Sequence, residues 1–334
     1  MRLDFRSRSI YYKGSQTTYG NFMTLDPQAK VFLDQINALN REPLEVMGAV
    51  KAREMYAERP KELSPESVPV SRVENRTITP DQSPIPIRIY TPIQSDKPLP
   101  VLVFYHGGGM VIGTLDGYDT LCRQLAVQSA CIVVSVDYRL APENKFPAAV
   151  EDAYGALKWV ASHGQAFGAD TQQVAVGGDS AGGSLAAVVA ILARDHLLLE
   201  LKYQLLIYPA TASYADSESQ LAFAEGYFLE RSTILWFHES YIRSDKDRQD
   251  FRYAPLITEN LCDLPPTLVL VAGYDPLRDE GIAYAERLKE AGVEVELLEY
   301  PGMFHPFMSL AGILDEGKQA ITACAKALRK RFTK

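Results

Sequence analysis

The sequence predicts an α/β fold, a mostly parallel eight-stranded sheet with helices on both faces and a helical cap. Three observations predict it. Residues 101–105, 131–136, 174–176, 205–208 and 268–271 are short continuous apolar runs, as expected of parallel strands covered on both faces. Helical patterns over 121–127, 148–160, 185–192 and 282–288 stand between or after those runs, so strand and helix alternate as in right-handed crossovers. One of these junctions, 174–193, reads Val-Ala-Val-Gly-Gly-Asp-Ser-Ala-Gly-Gly-Ser-Leu and then an Ala-rich segment, a strand turning sharply into a helix.

Before the parallel strands, Val31, Phe32, Ile36 and Leu39, then Leu44, Met47 and Val50, recur at helical spacing and predict two amphipathic helices. Asp26 is placed to cap the first, with Pro27 at its first position. Residues 68–78 and 85–90 alternate apolar and polar, the pattern of half-exposed antiparallel strands joined around Pro80, Asp81 and Ser83. A last strand is expected over 293–300 and a last helix over 317–331. The connection after Pro209 is far longer than a crossover needs, so 211–253, with Phe223, Tyr227, Phe228, Trp236 and Phe237, is expected to be an insertion. The expected organisation is therefore cap helices over 23–60, a core over 61–210 and 254–334, and a cap insertion over 211–253.

Residues 1–22 carry Arg2, Arg6, Arg8 and Lys13 against Asp4 and lack the apolar stretch of a secretory signal. Such an acid-poor leader also fits a transit peptide, but a disordered or non-native leader is the expectation, with Met23 a natural start. No apolar run approaches the roughly eighteen residues of a membrane span. A net charge of -8 over 334 residues argues against a nucleic-acid binder, which needs clustered Lys and Arg. The four cysteines, Cys122, Cys131, Cys262 and Cys324, show no C-x-x-C spacing. They suggest neither a zinc site nor a disulfide framework, and are expected to be buried thiols of a cytoplasmic protein.

Gly178, Asp179, Ser180, Ala181 and Gly182 spell G-x-S-x-G, the elbow that lifts a nucleophilic serine on a strained turn. The flanking glycines leave room for strand and helix to approach. A serine needs a base, and the base needs a group to hold its tautomer. His163 and His196 follow helices and His238 lies in the aromatic insertion, whereas His305 stands in a Gly/Pro-bounded loop past the last strand, where such sheets place ligands. Asp275 lies beyond a strand end between serine and histidine in the chain. Asp279 is the runner-up, with a sufficient role as a first-turn acid. Asp179 points away from the base and bonds nearby backbone. His106-Gly107-Gly108-Gly109 follows the strand over 101–105, and the N–H groups of Gly108, Gly109 and Ala181 are the expected donors to a developing oxyanion. His106 is then structural, holding this loop.

With H-G-G-G, G-D-S-A-G-G, D-P-L-R-D and G-M-F-H in order, and D-Y-R-L-A-P-E over 137–143, the chain resembles the hormone-sensitive-lipase-like branch of the α/β-hydrolases, the bacterial family IV esterases. The resemblance runs from about Met23 to the C-terminus. It implies Ser180 as nucleophile, His305 as base, Asp275 as its orienter, no metal and no diffusible cofactor. It implies a small-molecule ester of short to medium acyl chain as substrate, and homodimers formed through the last strand and C-terminal helix. A hormone receptor of this branch would lack the histidine that His305 supplies. A peptidase of the prolyl-oligopeptidase kind would normally bring a propeller, for which this chain has no room.

Overall fold

The computed structural model describes residues 24–80 and 83–333. The leader, Met23 and Asp81 of the expected turn lie outside the described residues. Two helices come first, α1 (Pro27–Ala38) and α2 (Leu44–Ala57). Asp26 accepts the N–H groups of Gln28 and Ala29, the expected cap before Pro27. α2 is kinked at Gly48, where φ is 74°, a conformation glycine tolerates. Val31, Leu39 and Val50 of the expected apolar stripes are exposed, because these helices bury only a narrow face, at Ala29, Phe32, Leu33 and Ala52.

The strands are β1 (Arg72–Ile78), β2 (Ile85–Thr91), β3 (Leu99–Tyr105), β4 (Ile132–Val136), β5 (Ala169–Asp179), β6 (Tyr203–Ile207), β7 (Thr267–Tyr274) and β8 (Val295–Phe304). They form one sheet in the order β1-β2-β4-β3-β5-β6-β7-β8. β2 pairs antiparallel with β1 and β4, and every later pairing is parallel. The helices α3 (Asp119–Ser129), α4 (Ala148–His163), α5 (Ala181–Asp195), α6 (Glu218–Ala222), α7 (Arg231–Tyr241), α8 (Arg278–Glu290) and α9 (Asp315–Phe332) follow. α4, α5 and α8 pack on one face of the sheet, and α1, α3 and α9 on the other. The runs buried on both sides are thus the central strands, as apolar continuity predicts.

Two details differ from expectation, and the first matters for the site. β8 continues through Pro301 and Gly302 to Phe304 instead of ending at 300. β8 is the terminal strand, where a proline is tolerated. A Cβ on Gly273 would overlap the Pro301 carbonyl, so the bare glycine lets the strands stay together through a bulge between Ala272 and Tyr274. The ladder resumes at Tyr274 opposite Phe304, leaving Asp275 and His305 side by side. Second, Cys122, Cys131 and Cys324 are buried, but Cys262 is exposed in the loop before β7.

Residues 211–253 hold α6 and α7. α7 packs on α2, and the pairing is fastened by Thr233 Oγ1 donating to Glu45 at 3.3 Å. Asn37 Nδ2 likewise donates to the Gly226 carbonyl at 2.9 Å.

Candidate active site

Ser180 stands between β5 and α5 with φ 55° and ψ −120°, a region that side chains rarely occupy. The strain is held by neighbours. Ser180 N–H donates to the Ile207 carbonyl at 2.8 Å, extending the β5–β6 ladder. A Cβ on Gly178 would overlap the Gly182 and Tyr105 carbonyls, and one on Gly182 would overlap the Tyr105 carbonyl. The elbow therefore needs glycine at both positions for the reason the sequence suggests. The N–H of Ala181 opens α5, where the helix dipole is positive.

His305 and Asp275 follow the last rung of the β7–β8 ladder, and His305 Nδ1 lies 2.8 Å from Asp275 Oδ2. Both are buried. The other carboxylate oxygen, Oδ1, accepts the Leu277 N–H at 2.8 Å, which fixes the carboxylate plane. A carboxylate only accepts, so the proton sits on Nδ1 and leaves Nε2 with its lone pair. Tyr208 supports the imidazole edge-on, with ring centroids 4.6 Å apart. Asp279, the runner-up, instead accepts the Ser219 N–H at 2.8 Å. The other histidines are engaged elsewhere: His163 stacks on Trp159, His196 meets Tyr154, and His238 meets Tyr253 and Arg248.

The glycine-rich loop after β3 turns through Gly108, Gly109 and Met110 with φ of 115°, 61° and 62°. The N–H groups of Gly108, Gly109 and Ala181 have no hydrogen-bond partner among the described residues. Asp179 is buried behind this loop, accepting the Gly107 N–H at 2.8 Å and the Tyr118 hydroxyl at 2.9 Å. Burial pushes its carboxyl up to about 6. His106 is buried and donates from Nδ1 to the Gly107 carbonyl at 2.8 Å, with its ring 4.4 Å from Tyr138. Burial lowers it to about 4, so it is neutral at pH 7.

Ser180, His305, Gly108 and Gly109 line one cavity of about 1300 Å³, roofed by Phe237 and Leu229 of the insertion and by α2. The Phe237 ring lies directly against Gly109, where a Cβ would overlap it. Among the described residues, no cluster of three His, Cys, Asp or Glu side chains could hold a metal ion.

Sequence reasoning passed over Glu280. This buried carboxylate accepts the N–H groups of Thr211 and Ala212 at 2.7 and 3.1 Å and the Gln220 amide at 2.8 Å. It thereby ties both ends of the 211–220 segment to α8. Burial raises it to about 7. A signal existed, since Glu280 shares a buried i, i+4, i+8 stripe with Tyr284 and Leu288, where a carboxylate is out of place. Tyr118 and Tyr208 carried none, because each acts through a partner distant in sequence.

The sheet order and the elbow are those of an α/β-hydrolase. A family model described as alpha/beta hydrolase fold matches residues 102–309. The chain belongs to this family, in its hormone-sensitive-lipase-like branch of family IV esterases, and is by class a carboxylic ester hydrolase. It is 36% identical to an ethyl acetate hydrolase of Pseudomonas putida over 93% of this chain and 100% of that one. It is 39% identical to the carboxylesterase NlhH of Mycobacterium tuberculosis over 92% and 96% of the two chains. An ester-hydrolase from the metagenome of Lake Arreo superposes with a TM-score of 0.90 at 41% identity, over 93% of this chain and 100% of that one.

Proposed function

We propose that the protein is a serine carboxylesterase acting on small esters of short to medium acyl chain through an acyl-enzyme. The observation that carries the reading is the buried His305–Asp275 pair at 2.8 Å, opening on the cavity that Ser180 also lines. His305 Nε2 takes the Ser180 proton as Oγ bonds to the ester carbon, and the carbonyl π pair moves onto oxygen. Gly108, Gly109 and Ala181 N–H groups receive that charge at the dipole-positive start of α5. Collapse expels the alcohol with the proton from His305. A water deprotonated by His305 then releases the acid by the same route. Asp275 holds the tautomer and stabilises the imidazolium. No residue of this scheme calls for a metal or cofactor.

Residues 23–60 and 211–253 act together as the cap. The aromatic roof at Phe237 limits acyl length and favours a small dissolved ester over a lipid surface. β8, at the sheet edge, and α9 would form the homodimer contact the resemblance implies. No helix among the described residues is long and apolar enough to cross a membrane, and a cytoplasmic location suits such a substrate.

The test is hydrolysis of p-nitrophenyl esters of graded chain length. Rapid turnover of the acetate and butyrate, loss of nearly all rate in a folded Ser180→Ala variant, and a steep fall toward palmitate are expected. Turnover that survives Ser180→Ala would overturn the nucleophile, and a rate still rising at palmitate would overturn the chain-length limit.

A further inference from the structure

The oxyanion loop is braced from outside by a residue of the N-terminal helices. Arg53 of α2 donates Nε to the Val111 carbonyl at 2.8 Å and Nη2 to the Ala141 carbonyl at 2.7 Å. Its Nη1 and Nη2 also reach the two carboxylate oxygens of Glu143, at 2.9 and 2.7 Å. The two carbonyls belong to the residues whose own N–H groups fix the loop. Val111 N–H donates to Gly108 O at 3.0 Å and closes the turn, and Ala141 N–H donates to Met110 O at 2.8 Å.

The segment between these anchors needs holding. Gly108, Gly109 and Met110 are three successive left-handed residues, and Met110 carries a side chain that disfavours that region. A planar guanidinium presents several N–H groups in fixed directions, so one side chain gathers two carbonyls and a carboxylate, which a lysine cannot reproduce. The partly exposed ion pair with Glu143 is worth little by itself. Its geometric effect is to aim the remaining N–H groups at the carbonyls.

We propose that Arg53 is a positioning residue for the oxyanion loop: by holding the Val111 and Ala141 carbonyls together it sets the direction of the Gly108 and Gly109 N–H groups, so that docking of α2 is a condition for stabilising the transition state. The inference rests on the reading of Ser180 and its oxyanion donors given above. The donors act most strongly on the oxyanion and only weakly on the neutral ester, so a slackened loop lowers kcat and leaves KM nearly unchanged.

The experiment compares wild type, Arg53→Gln, Arg53→Lys, Glu143→Gln and Ser180→Ala. Measured are kcat and KM on p-nitrophenyl acetate, the thermal midpoint, and inhibition by an aryl trifluoromethyl ketone. In that adduct Ser180 Oγ bonds to the carbonyl carbon, its proton passes to His305 Nε2, and the π pair becomes the oxyanion. Loss of a whole donor costs about a hundredfold or more in kcat. Displacing two donors without removing them is expected to lower kcat by about tenfold to a hundredfold in Arg53→Gln, with KM within about threefold. Ketone affinity is expected to fall by the same factor. Arg53→Lys, which keeps one carbonyl contact, is expected to be intermediate, and Glu143→Gln to lose less than either.

If Arg53→Gln does not fold, Arg53→Lys decides. Wild-type kcat and ketone affinity in Arg53→Lys, a rise in KM alone, or a fall in kcat without weaker ketone binding overturns the inference while an inactive Ser180→Ala upholds the reading beneath it. Turnover that persists in Ser180→Ala removes that reading and the inference with it.

Discussion

Glu280 accepts the backbone N–H of Thr211 at 2.7 Å, only five positions after the aspartate that holds His305. The turn that orients the proposed base thus also anchors the root of the insertion. Asp279 adds a second tie, to Ser219 N–H. The 211–220 segment and His305 are thus both held by one short stretch, 275–280.

That stretch gives stability a pH signature. Glu280 rises from 4.5 to about 7 through burial, so between those values the folded protein keeps a proton that the unfolded chain has released. Stability from this group is therefore greatest below about pH 4.5 and falls as pH rises toward 7. Asp179, raised from 3.8 to about 6, adds in the same direction over its own window. Glu280→Gln removes the first contribution. The thermal midpoint of wild type minus that of Glu280→Gln is expected to decline from about pH 5 to about pH 8. A difference constant over that range would contradict a raised Glu280.

Asp275→Asn is expected to lower kcat by roughly a thousandfold or more with little loss of stability. Leu277 N–H needs an acceptor, so the asparagine oxygen takes the Oδ1 place and its NH₂ faces His305 Nδ1. The imidazole proton then moves to Nε2, and the lone pair that should receive the serine proton is gone. Steady-state kinetics beside a melting curve checks this. Near-normal kcat would remove Asp275 from the mechanism.

Two glycine substitutions are expected to differ sharply. A methyl at Gly182 meets the Tyr105 and His106 carbonyls, which are backbone and cannot turn aside. Gly182→Ala is expected to lose more than about 3 kcal/mol or fail to fold. Gly168→Ala has open space and bears only the left-handed φ of 85°, a loss of about 1–2 kcal/mol. Urea denaturation of both variants measures the gap, and equal losses would refute the packing explanation for the elbow.

Phe237→Ala opens the roof over Gly109 and is expected to move the acyl-chain optimum of p-nitrophenyl esters upward while lowering the acetate rate. An unchanged chain-length profile would show that Phe237 does not set the limit.

The sequence was most legible where chemistry demands fixed local neighbours. Ser180 with Gly178 and Gly182 is such a case, and so is the loop of His106 to Gly109. The apolar runs likewise declared the buried strands, since strands covered on both faces have no polar side to interrupt them. Less was legible where one residue serves another across the chain. Arg53 reads as an ordinary charge on an exposed helix, and Tyr118 as an ordinary aromatic, until folding brings them to Val111 and Asp179. The end of β8 is not legible in the sequence, because Pro301 and Gly302 punctuate a strand in isolation, and only the bare backbone of Gly273 explains why pairing continues past them. Free thiols are usually buried, but the loop that carries Cys262 leaves it exposed.

The bulge at Gly273 makes β8 a ruler. Side chains alternate along a strand, so gaining or losing one residue between the Ala272–Tyr300 rung and the Tyr274–Phe304 rung would turn His305 to the opposite face. Loops before β8 are free to lengthen, whereas the four-residue step from Tyr300 to Phe304 is not. A single-residue deletion there is expected to leave a folded hydrolase scaffold whose aspartate has no histidine to hold.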